Sequence, residues 1–479
     1  MPVSSLKFGT SGLRGLSSEL NGQLSAIYAT AFAWHLLENG VAKPGDRIFI
    51  GRDFRASSPE IAAWCAGALS LCGFKVFDCG TIPTMALALH AMENESACLM
   101  VTGSHIPADR NGIKFNLPGG EITKADEKSI SALAIKVMAS PRIKPFEKGA
   151  GTDCAGAAMA FFMARVGKIL APGALAGLRI GVYQHSCVAR DTLAQMLQGY
   201  GASVVALGRS DAFVAVDTEA VALETVAKLR GWAAEHRLDA IVSADGDGDR
   251  PLVADADGAP LRGDLLGLMT AEFISADAAV TPVTSNSGIE SALKCGIVRT
   301  KVGSPFVIAA MNEVIASGAK RVLGFEANGG CLLGSDIDIN GEVLKALPTR
   351  DSFLPILAAL SKATVSRRPL SDIAADYALP FALSDRLENF PVDASAAMMA
   401  HLRASKASLA AFLAPVGTPA AVSDIDGLRV SLADGGVIHL RPSGNAPEMR
   451  CYVESETEAA AQNLMAKGLD LIRAWEKKR

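Results

Sequence analysis

The amino-acid sequence predicts an α/β protein with three consecutive mixed α/β domains and a smaller C-terminal α+β domain around a central cleft. The length of 479 residues is about three times that of a typical ~150-residue domain, which favours three or four domains. Strand and helix patterns alternate in three successive rounds, which is typical of layered α/β domains with largely parallel sheets. After Tyr377 the pattern changes to a hairpin and one long helix.

The first predicted domain spans residues 1–148. Apolar runs predict strands at 47–51, 74–79 and 97–102. A helix is expected between the first two strands, with Ser58 as its N-cap, Pro59 in its first turn and Gly73 at its end. A polar segment rich in Pro, Gly and Lys at 140–151 predicts the boundary with the next domain.

The remaining domains are predicted at 149–258, 259–377 and 378–479. The second domain has predicted strands at 178–182, 202–207 and 238–244, and a helix at 188–200. The third has predicted helices at 265–274 and 304–315, and strands at 279–284 and 321–325. The last has a predicted hairpin of strands 428–432 and 437–441, followed by a helix at 457–475.

The composition excludes several classes of function. The chain has 46 Lys+Arg against 50 Asp+Glu and only 6% aromatic residues, which argues against binding of double- or single-stranded nucleic acid. No apolar run reaches the ~18 residues of a membrane span, and the first residues lack the pattern of a secretory signal. The nine cysteines include no C-x-x-C pair. We therefore expect a reduced, soluble, cytoplasmic protein that binds neither nucleic acid nor membranes.

Unusual loops fall on all four predicted domains, and the first follows the strand at 97–102. Gly103 and Pro107 bracket a sharp turn that would expose Ser104 at the edge of the sheet. A second turn at 111–112 would return Lys114 towards it. Because open α/β sheets bind ligands at the carboxyl ends of their strands, we expect these loops to meet in one cleft.

Two interpretations of this serine loop compete. A serine becomes a nucleophile only beside a base or a reactive partner, and His105 need not face the same way as its neighbour Ser104. An ordinary turn with a solvated serine is the simpler interpretation of the loop alone. The absence of a Gly-x-Ser-x-Gly elbow argues against an acyl hydrolase.

The second loop is an acidic run, Asp-Gly-Asp-Gly-Asp-Arg, at 245–250. Its three aspartates are spaced at i, i+2 and i+4, so an extended chain places them on one side: Asp245, Asp247 and Asp249. Three carboxylates are hard ligands that suit Mg²⁺, and without a cation they would repel one another. An EF-hand is rejected because Arg250 and Ala256 occupy the positions that require Gly and Glu.

Three further loops are weaker candidates, since each pattern also occurs in plain turns. Residues 441–450 combine two arginines with a Ser-Gly-Asn turn, which matches a phosphate group. Residues 326–330 place a carboxylate and an amide two positions apart, which suits a pair of sugar hydroxyls. Residues 8–15 form a glycine-rich turn with one arginine, but the chain has no dinucleotide fingerprint there and no Walker A motif.

Together and in this order, the five motifs resemble the α-D-phosphohexomutase family, and within it the phosphomannomutase/phosphoglucomutase group. The resemblance covers the chain end to end. It implies a catalytic phosphoserine at Ser104, with Lys114, Arg14 and His105 as further catalytic residues. It implies one Mg²⁺ held by the phosphoserine and the three aspartates: Ser104, Asp245, Asp247 and Asp249. It implies substrate binding by the remaining candidates: Arg250, Glu326, Asn328, Arg441, Ser443, Gly444, Asn445 and Arg450.

Several positions differ from the family pattern. The serine loop of the family commonly reads Thr-Ala-Ser-His-Asn-Pro, whereas this chain has Gly103 and Ile106 at the second and fifth positions. The sugar loop commonly reads Gly-Glu-x-Ser-Gly-His, whereas this chain has Phe325, Asn328 and Gly330 at the first, fourth and sixth positions. None of these differences removes a chemical group that the reaction requires.

The resemblance implies interconversion of hexose 6-phosphate and hexose 1-phosphate, with mannose and also glucose as the sugar. Phospho-Ser104 would give its phosphoryl group to the sugar, and the bound 1,6-bisphosphate, which also serves as activator, would turn over and return the other phosphate. One phosphate site must then hold either end of the sugar, so a mobile fourth domain is useful. Hexose phosphates are the expected ligands of a monomer or homodimer.

Three alternatives remain open at this point. A phosphoglucosamine mutase would use the same loops on a sugar with a cation at carbon 2. A non-catalytic sugar-phosphate binding protein could share the scaffold, although it would have no need to retain Ser104, Lys114 and the three aspartates. A metal-dependent phosphatase would release free phosphate instead of transferring it.

Overall fold

The structure, a computed structural model, describes residues 6–9, 12–140, 145–443 and 447–477. Four large sheets with their helices, and one separate two-stranded ribbon, follow one another along the described chain, and the last sheet is entirely antiparallel. This arrangement confirms the predicted fold class of three mixed α/β units and one smaller α+β unit. The exact domain boundaries at 148, 258 and 377 remain predictions.

The first unit is built on an eight-stranded sheet with the order β1-β2-β6-β5-β3-β4-β8, in which β7 pairs with β6. Its strands are β1 (Lys7–Phe8), β2 (Leu13–Leu16), β3 (Arg47–Arg52), β4 (Lys75–Thr81), β5 (Ala97–Val101), β6 (Arg110–Leu117), β7 (Gly120–Glu121) and β8 (Thr152–Asp153). Its helices are α1 (Ser17–Glu19), α2 (Ser25–Glu38), α3 (Ser58–Leu71), α4 (Thr84–Glu93) and α5 (Lys124–Ala139). Strands β3, β4, β5 and β8 are parallel, whereas β2 and β6 run antiparallel to their neighbours.

Two local predictions in this unit are wrong. Ser58 is the first residue of α3 and does not cap it, because its hydroxyl donates to Asp53 Oδ1 at 2.5 Å. Asn111 and Gly112 lie inside strand β6, because pairing with β2 on one side and β5 on the other overrides their turn preference. The chain reverses earlier, in the loop at 102–109 between β5 and β6.

The second unit has a four-stranded sheet with the order β10-β9-β11-β12. Its strands are β9 (Arg179–His185), β10 (Ser203–Arg209), β11 (Ala240–Ala244) and β12 (Pro251–Ala254). Its helices are α6 (Ala155–Val166), α7 (Arg190–Gly199) and α8 (Leu223–His236). The tight connection between β11 and β12 is the acidic loop at 245–250.

The third unit has a five-stranded sheet, β14-β13-β15-β16-β19, and a separate two-stranded ribbon, β17-β18. Its strands are β13 (Ala278–Pro282), β14 (Gly296–Thr300), β15 (Val322–Phe325), β16 (Cys331–Leu333), β17 (Ile337–Ile339), β18 (Glu342–Leu344) and β19 (Leu347–Asp351). Its helices are α9 (Gly263–Phe273), α10 (Ile289–Ala292), α11 (Ser304–Ala316), α12 (Phe353–Ser366) and α13 (Leu370–Asp376).

The fourth unit has a five-stranded antiparallel sheet with the order β20-β24-β23-β22-β21. Its strands are β20 (Phe381–Leu387), β21 (Pro419–Ser423), β22 (Leu428–Leu432), β23 (Val437–Pro442) and β24 (Met449–Ser455). Its helices are α14 (Val392–Ala404), α15 (Lys406–Leu413) and α16 (Glu458–Lys477). The predicted hairpin and closing helix are therefore present.

The apolar cores show which of the four units pack together. One buried cluster runs without interruption through the first three units and includes Phe49, Val182 and Phe325. The rings of Phe162 and Phe353 meet edge to face in this cluster, with centroids 5.0 Å apart. The fourth unit has a core of its own. The first three units thus form one packed body, to which the fourth is attached.

Among the residues that the structure describes, no helix is long and apolar enough to cross a membrane. Three of the five candidate loops follow β5, β11 and β15, each of which is parallel to a neighbour in its sheet. The phosphate loop connects β23 with β24, and the glycine-rich turn at 8–15 includes residues 10 and 11, which lie outside the described residues. Carboxyl ends of parallel strands carry the ligand sites of α/β sheets. The fold therefore places the serine, acidic and sugar loops where such sites are expected.

Candidate active site

Ser104 lies in the loop after β5 and is only 1% exposed, so the predicted exposed position is wrong. The acidic loop of the second unit covers it, and Ser104 Oγ donates a hydrogen bond to Asp245 Oδ2. The φ angle of Ser104 is 54°, a left-handed conformation that is uncommon for a residue with a side chain. The Ser104 N–H donates to Thr102 Oγ1 at 2.8 Å, which helps to hold this turn.

Arg55, which sequence reasoning missed, holds the backbone of the serine loop in place. Its guanidinium donates to four carbonyl oxygens of the loop, at distances between 2.6 and 2.9 Å: those of Ser104, Ile106, Pro107 and Arg110. Arg55 Nε also lies 3.2 Å from Asp53 Oδ2. A guanidinium has five N–H donors in a plane, enough for the four carbonyls and Asp53, whereas a lysine ammonium has only three.

The surroundings of Arg55 explain one departure from the family pattern. A Cβ atom at Gly103 would lie 2.4 Å from Arg55 Cζ, so the glycine leaves room for the guanidinium. On its other side, the guanidinium carbon lies 3.8 Å from the ring centroid of Phe213, a residue of the second unit. The serine loop is thus held between the first and second units.

Lys114 reaches the acidic loop from strand β6. Its Nζ lies 2.6 Å from Asp247 Oδ2 and also forms a salt bridge with Asp249. Thr84, at the start of α4, donates to Asp247 Oδ2 at 2.6 Å, and its N–H donates to the Asp247 carbonyl at 3.0 Å. Three side chains of the first unit, Ser104, Lys114 and Thr84, therefore contact the aspartates of the second.

The three aspartates form a compact, fully buried cluster. One carboxylate oxygen from each lies within 4.8 Å of the others: Asp245, Asp247 and Asp249. Asp247 Oδ1 and Asp249 Oδ1 are buried and have no hydrogen-bond partner within the described ranges. Buried carboxylate oxygens without a partner are costly, and hard oxygen donors suit Mg²⁺. The residues therefore fit a divalent cation.

The electrostatics of the cluster point the same way. Burial and the charges of Asp247 and Asp249 raise the pKa of Asp245 well above its usual value. Burial opposes ionisation of Asp247 as well, but the Lys114 ammonium beside it holds the pKa of that carboxyl below its usual value. Burial likewise opposes ionisation of Asp249, but the guanidinium of Arg350 lowers the pKa of that carboxyl, so Asp245 is the carboxyl that the cations of the protein compensate least. A bound metal cation would favour the ionised form of all three carboxyls.

Three further candidates surround this cluster: Arg14, His105 and Arg250. Arg14 donates to the Thr102 carbonyl, and burial lowers its pKa to about 10, so it remains a cation at neutral pH. Arg250 Nη1 lies 2.7 Å from His105 Nδ1. Burial and then the Arg250 charge lower the pKa of His105 to about 3. His105 is therefore neutral at neutral pH, with Nδ1 as acceptor and Nε2–H as donor.

The sugar loop follows β15 and is largely buried. Glu326 Oε2 accepts a hydrogen bond from Arg350 Nη1 at 3.0 Å. Asn328 Oδ1 accepts the Gly330 N–H at 3.0 Å, so this side-chain oxygen holds the loop's own turn. The Asn328 carbonyl accepts the hydroxyl of Thr218, from the second unit, at 2.9 Å.

The phosphate loop lies between β23 and β24 of the fourth unit. Arg441 and Arg450 are directly opposite each other on these strands. Arg441 Nε donates to Asp426 Oδ2 at 2.9 Å, and the Ser443 N–H donates to the Glu448 carbonyl at 2.9 Å. The candidates Gly444 and Asn445 lie outside the described residues.

The structure brings the predicted loops together to different degrees. The serine loop, the acidic loop and the sugar loop are linked by direct contacts through Ser104, Lys114 and Arg350. The fourth unit approaches the same region at a cavity that is lined by Glu219 of the second unit, Ala327 of the sugar loop and Tyr452 of strand β24. All four units thus face one region.

Sequence reasoning missed four residues of this region: Asp53, Arg55, Thr84 and Arg350. Asp53 and Arg55 follow the buried strand β3, so polar residues after a strand, the signal that identified Ser104, could have found them. The polar run at 349–352 carries a similar signal for Arg350. Thr84 opens a helix and has no such signal, because its partner Asp247 is distant in sequence.

Comparison with known proteins gives one consistent result. Phosphoglucomutase/phosphomannomutase family models match the chain in three parts: alpha/beta/alpha domain I at residues 5–139, alpha/beta/alpha domain III at 262–379 and the C-terminal domain at 387–470. A phosphomannomutase of Sinorhizobium fredii is 53% identical over 468 residues, which cover 98% of this chain and 99% of that protein.

Two more distant proteins agree with this result. A phosphomannomutase of Salmonella muenchen is 39% identical over 98% of this chain and 96% of that protein. The crystal structure of a phosphoglucomutase/phosphomannomutase family protein from Burkholderia thailandensis shares the fold with a TM-score of 0.72 at 22% identity, over 98% of this chain and 97% of that one. The chain therefore belongs to the phosphoglucomutase/phosphomannomutase family.

Proposed function

We propose that this chain interconverts hexose 6-phosphate and hexose 1-phosphate, with mannose as the principal sugar and glucose as a second one. The observation that carries the proposal is the buried cluster formed by Ser104 Oγ, Lys114 Nζ and the three aspartates. It places a hydroxyl, a cation and a set of hard oxygen ligands in contact, as phosphoryl transfer requires. The substrate follows the name of the relatives from Sinorhizobium fredii and Salmonella muenchen, both phosphomannomutases.

In the proposed reaction, Ser104 carries the phosphoryl group between turnovers. The bond from phosphorus to Ser104 Oγ breaks while the free hydroxyl of the sugar phosphate forms a new bond to phosphorus. The sugar hydroxyl loses one proton and Ser104 Oγ gains one, so the step transfers a phosphoryl group in one direction and a proton in the other, with no net release of either. When the resulting 1,6-bisphosphate has reversed its orientation in the site, the same step in reverse returns its other phosphate to Ser104. A free 1,6-bisphosphate would therefore phosphorylate an idle enzyme and act as an activator.

The basic side chains of the site neutralise the charge of the transferred group. A phosphoserine carries about two negative charges, next to three aspartates. Lys114, Arg14 and Arg250 supply three positive charges around it, and neutral His105 offers an Nε2–H donor to a phosphate oxygen. Asp245, Asp247 and Asp249 would hold Mg²⁺, which supplies further stabilisation of negative charge on the phosphoryl oxygens.

The sugar loop supports the choice of substrate. We propose that Glu326, with Asn328, reads the 3- and 4-hydroxyls of the ring. These hydroxyls overlay when the sugar is turned over, whereas the 2-position does not map onto itself. A site that must bind both orientations therefore forms hydrogen bonds with the hydroxyls at carbons 3 and 4 and discriminates little at carbon 2. Mannose and glucose differ only at carbon 2, so both fit.

The fourth unit would act as the clamp for the phosphate that is not being transferred. Its separate core lets it move against the packed body of the other three units. Arg441, Ser443 and Arg450 would bind that phosphate, together with Gly444 and Asn445. We further propose that the protein works in the cytoplasm as a monomer or homodimer, since its nine free cysteines suit a reducing compartment.

The decisive experiment is a coupled assay of the full chain with Mg²⁺ and a hexose 1,6-bisphosphate as activator. The 1-phosphates of mannose, glucose, glucosamine and ribose are compared, and free phosphate is measured in parallel. We expect rapid formation of mannose 6-phosphate and glucose 6-phosphate without release of phosphate. Stoichiometric release of phosphate would instead identify a phosphatase, and binding without turnover would identify a sugar-phosphate binding protein.

A further inference from the structure

The end of strand β19 is a junction between three units. The Thr349 hydroxyl donates to Glu121 Oε1, in the first unit, at 2.9 Å. The Ser352 hydroxyl donates to the Gly248 carbonyl, in the acidic loop of the second unit, at 2.6 Å. Between them, Arg350 is only 2% exposed. A buried arginine at such a junction needs partners for its charge.

Arg350 contacts carboxylates in two different functional loops. Arg350 Nε donates to Asp249 Oδ2, in the acidic loop, at 3.2 Å. Its Nη1 donates to Glu326 Oε2, in the sugar loop, at 3.0 Å. A planar guanidinium fixes both carboxylates in direction as well as in charge. One side chain therefore bridges the acidic loop and the sugar loop.

A glycine of the sugar loop makes this position available. A Cβ atom at Gly330 would lie 2.6 Å from Arg350 Cδ and 2.7 Å from its Cγ. Position 330 is the one at which the family pattern has a histidine. In this chain no side chain occupies that position, and the stem of Arg350 packs against the glycine instead. The absence of a side chain at Gly330 thus leaves room for the stem of Arg350.

We propose that Arg350 is a positioning residue for the sugar, which holds Glu326 by its Oε2 atom and leaves Oε1 directed to the ring hydroxyls. This inference rests on the proposed function, because it deepens the role of Glu326 in that site. Arg350 acts through Glu326 and does not itself touch the reacting atoms. The contact with Asp249 keeps the sugar-reading carboxylate at a fixed position relative to the acidic loop.

A double-mutant cycle with Glu326 tests the proposal. The kcat and KM for mannose 1-phosphate are measured with Mg²⁺ for the natural protein, Arg350→Gln, Glu326→Gln and the double variant. The Kd of the sugar phosphate is measured by calorimetry as a readout that is independent of turnover. We expect each single change to raise KM and Kd about tenfold while kcat changes less than about threefold. The double variant should be no worse than Glu326→Gln, because both changes remove the same interaction.

Arg165 provides a matched control. It is also a buried arginine at the junction, and its Nη1 lies 3.2 Å from Asp351 Oδ2, one residue after Arg350. It contacts neither Asp249 nor Glu326 among the hydrogen bonds of the described residues. Arg165→Gln should lower the thermal unfolding temperature and leave KM for the sugar phosphate unchanged. A general loosening of the junction would instead raise KM in both variants.

The outcomes separate this inference from the proposed function. If the natural protein has no mutase activity, the proposed function is wrong. If the natural protein is active but Arg350→Gln keeps the natural KM and Kd, or if the two losses multiply in the double variant, the role of Arg350 is wrong. An effect confined to the Mg²⁺ concentration needed for activity would also overturn it. Should Arg350→Gln not fold, Arg350→Lys replaces it in the same cycle, and a KM within about twofold of the natural value would be the contradicting result.

Discussion

The side-chain nitrogen of Lys114 lies 2.6 Å from Asp247 Oδ2, and this contact joins strand β6 of the first unit to the acidic loop of the second. The ammonium group partly neutralises a cluster of three buried carboxylates, one of which accepts a hydrogen bond from the Ser104 hydroxyl. Asp247 Oδ1 and Asp249 Oδ1 accept no hydrogen bond from the described residues, although Arg250 Nε lies 3.9 Å from Asp249 Oδ1. The site therefore contains the Lys114 ammonium group and still has carboxylate oxygens that could coordinate a divalent metal ion.

The first prediction concerns the Mg²⁺ site. Excess chelator should abolish mutase activity, and Mg²⁺ should restore it better than Ca²⁺, whose larger shell suits a compact loop less well. Asp247→Asn should lower kcat about a hundredfold and raise the Mg²⁺ concentration needed for half-maximal activity, as measured by titration in the coupled assay. Asp255→Asn is the control, since Asp255 is a buried carboxylate close in sequence whose side chain, within the described ranges, accepts the N–H groups of Asp257 and Ala259. Full activity in excess chelator would contradict the metal site.

The second prediction concerns the support of the serine loop. Arg55→Lys removes most of the bonds to the four loop carbonyls, because an ammonium group cannot reach them all. We expect kcat to fall about a hundredfold while KM changes little, since a displaced nucleophile affects the chemical step more than sugar binding. Arg52→Lys is the control, because Arg52 pairs with Asp78 at 2.8 Å, away from the loop. Equal kinetics of the two variants would show that Arg55 has no special role.

The sequence predicted the acidic loop and the serine loop because their chemistry is local. Each of these motifs can be recognised from about six residues: three aspartates at alternate positions, or a serine between glycine and proline after a strand. The sheets were predictable for a similar reason, since apolar runs and glycine turns repeat along the chain. The hairpin strand Leu428–Leu432 agrees with its prediction at both ends.

The remaining features depend on tertiary packing and could not be derived in this way. Ser104 is buried because a loop of another unit covers it, although its own sequence suggests an exposed turn. The positions of Arg55 and Arg350 near the ends of strands mark them as candidates, but their roles follow from partners far along the chain. Asn111 and Gly112 favour a turn locally, but two neighbouring strands impose an extended conformation.

The third prediction concerns the pH dependence of stability. His439 is buried, and its Nε2 donates to the Asp426 carbonyl at 2.6 Å, near Arg429 and Arg441. Burial chiefly lowers its pKa from the ordinary value of 6.5 to about 4 in the folded protein. As pH falls, the unfolded chain binds the proton first. The stabilising contribution is therefore complete above pH 6.5 and is lost as pH falls towards about 4.

Replacement of this histidine isolates its contribution. His439→Gln keeps a side-chain N–H donor for Asp426 and cannot titrate in this range. Urea unfolding at several pH values should show that the natural protein loses about 3 kcal/mol more of its free energy of unfolding between neutral and acidic pH than the variant does. Parallel pH profiles of the two proteins would contradict this prediction.

The fourth prediction concerns the sugar. Mannose and glucose phosphates should both react, and 3-deoxy and 4-deoxy sugars should be poor substrates. The physical reason is that a site built to bond a hydroxyl rejects analogues that lack it by large factors. The measurement is the ratio of kcat/KM values for the 1-phosphates of mannose, glucose, glucosamine and the two deoxy sugars. Efficient turnover of glucosamine phosphate alone would show that carbon 2 is read closely, and the argument from overlaying hydroxyls would then be wrong.

The central claim is that Ser104 carries the phosphoryl group, and mass spectrometry of the full chain tests it most directly. The protein is incubated with a hexose 1,6-bisphosphate and Mg²⁺, and the phosphorylated residue is located in its peptides. We predict one phosphate on Ser104, none in Ser104→Ala, and a loss of kcat of about a thousandfold or more in that variant with its folding intact. Ser395→Ala, which changes a buried serine of the fourth unit, should behave like the natural protein. Phosphate on another residue, or natural turnover by Ser104→Ala, would contradict the account.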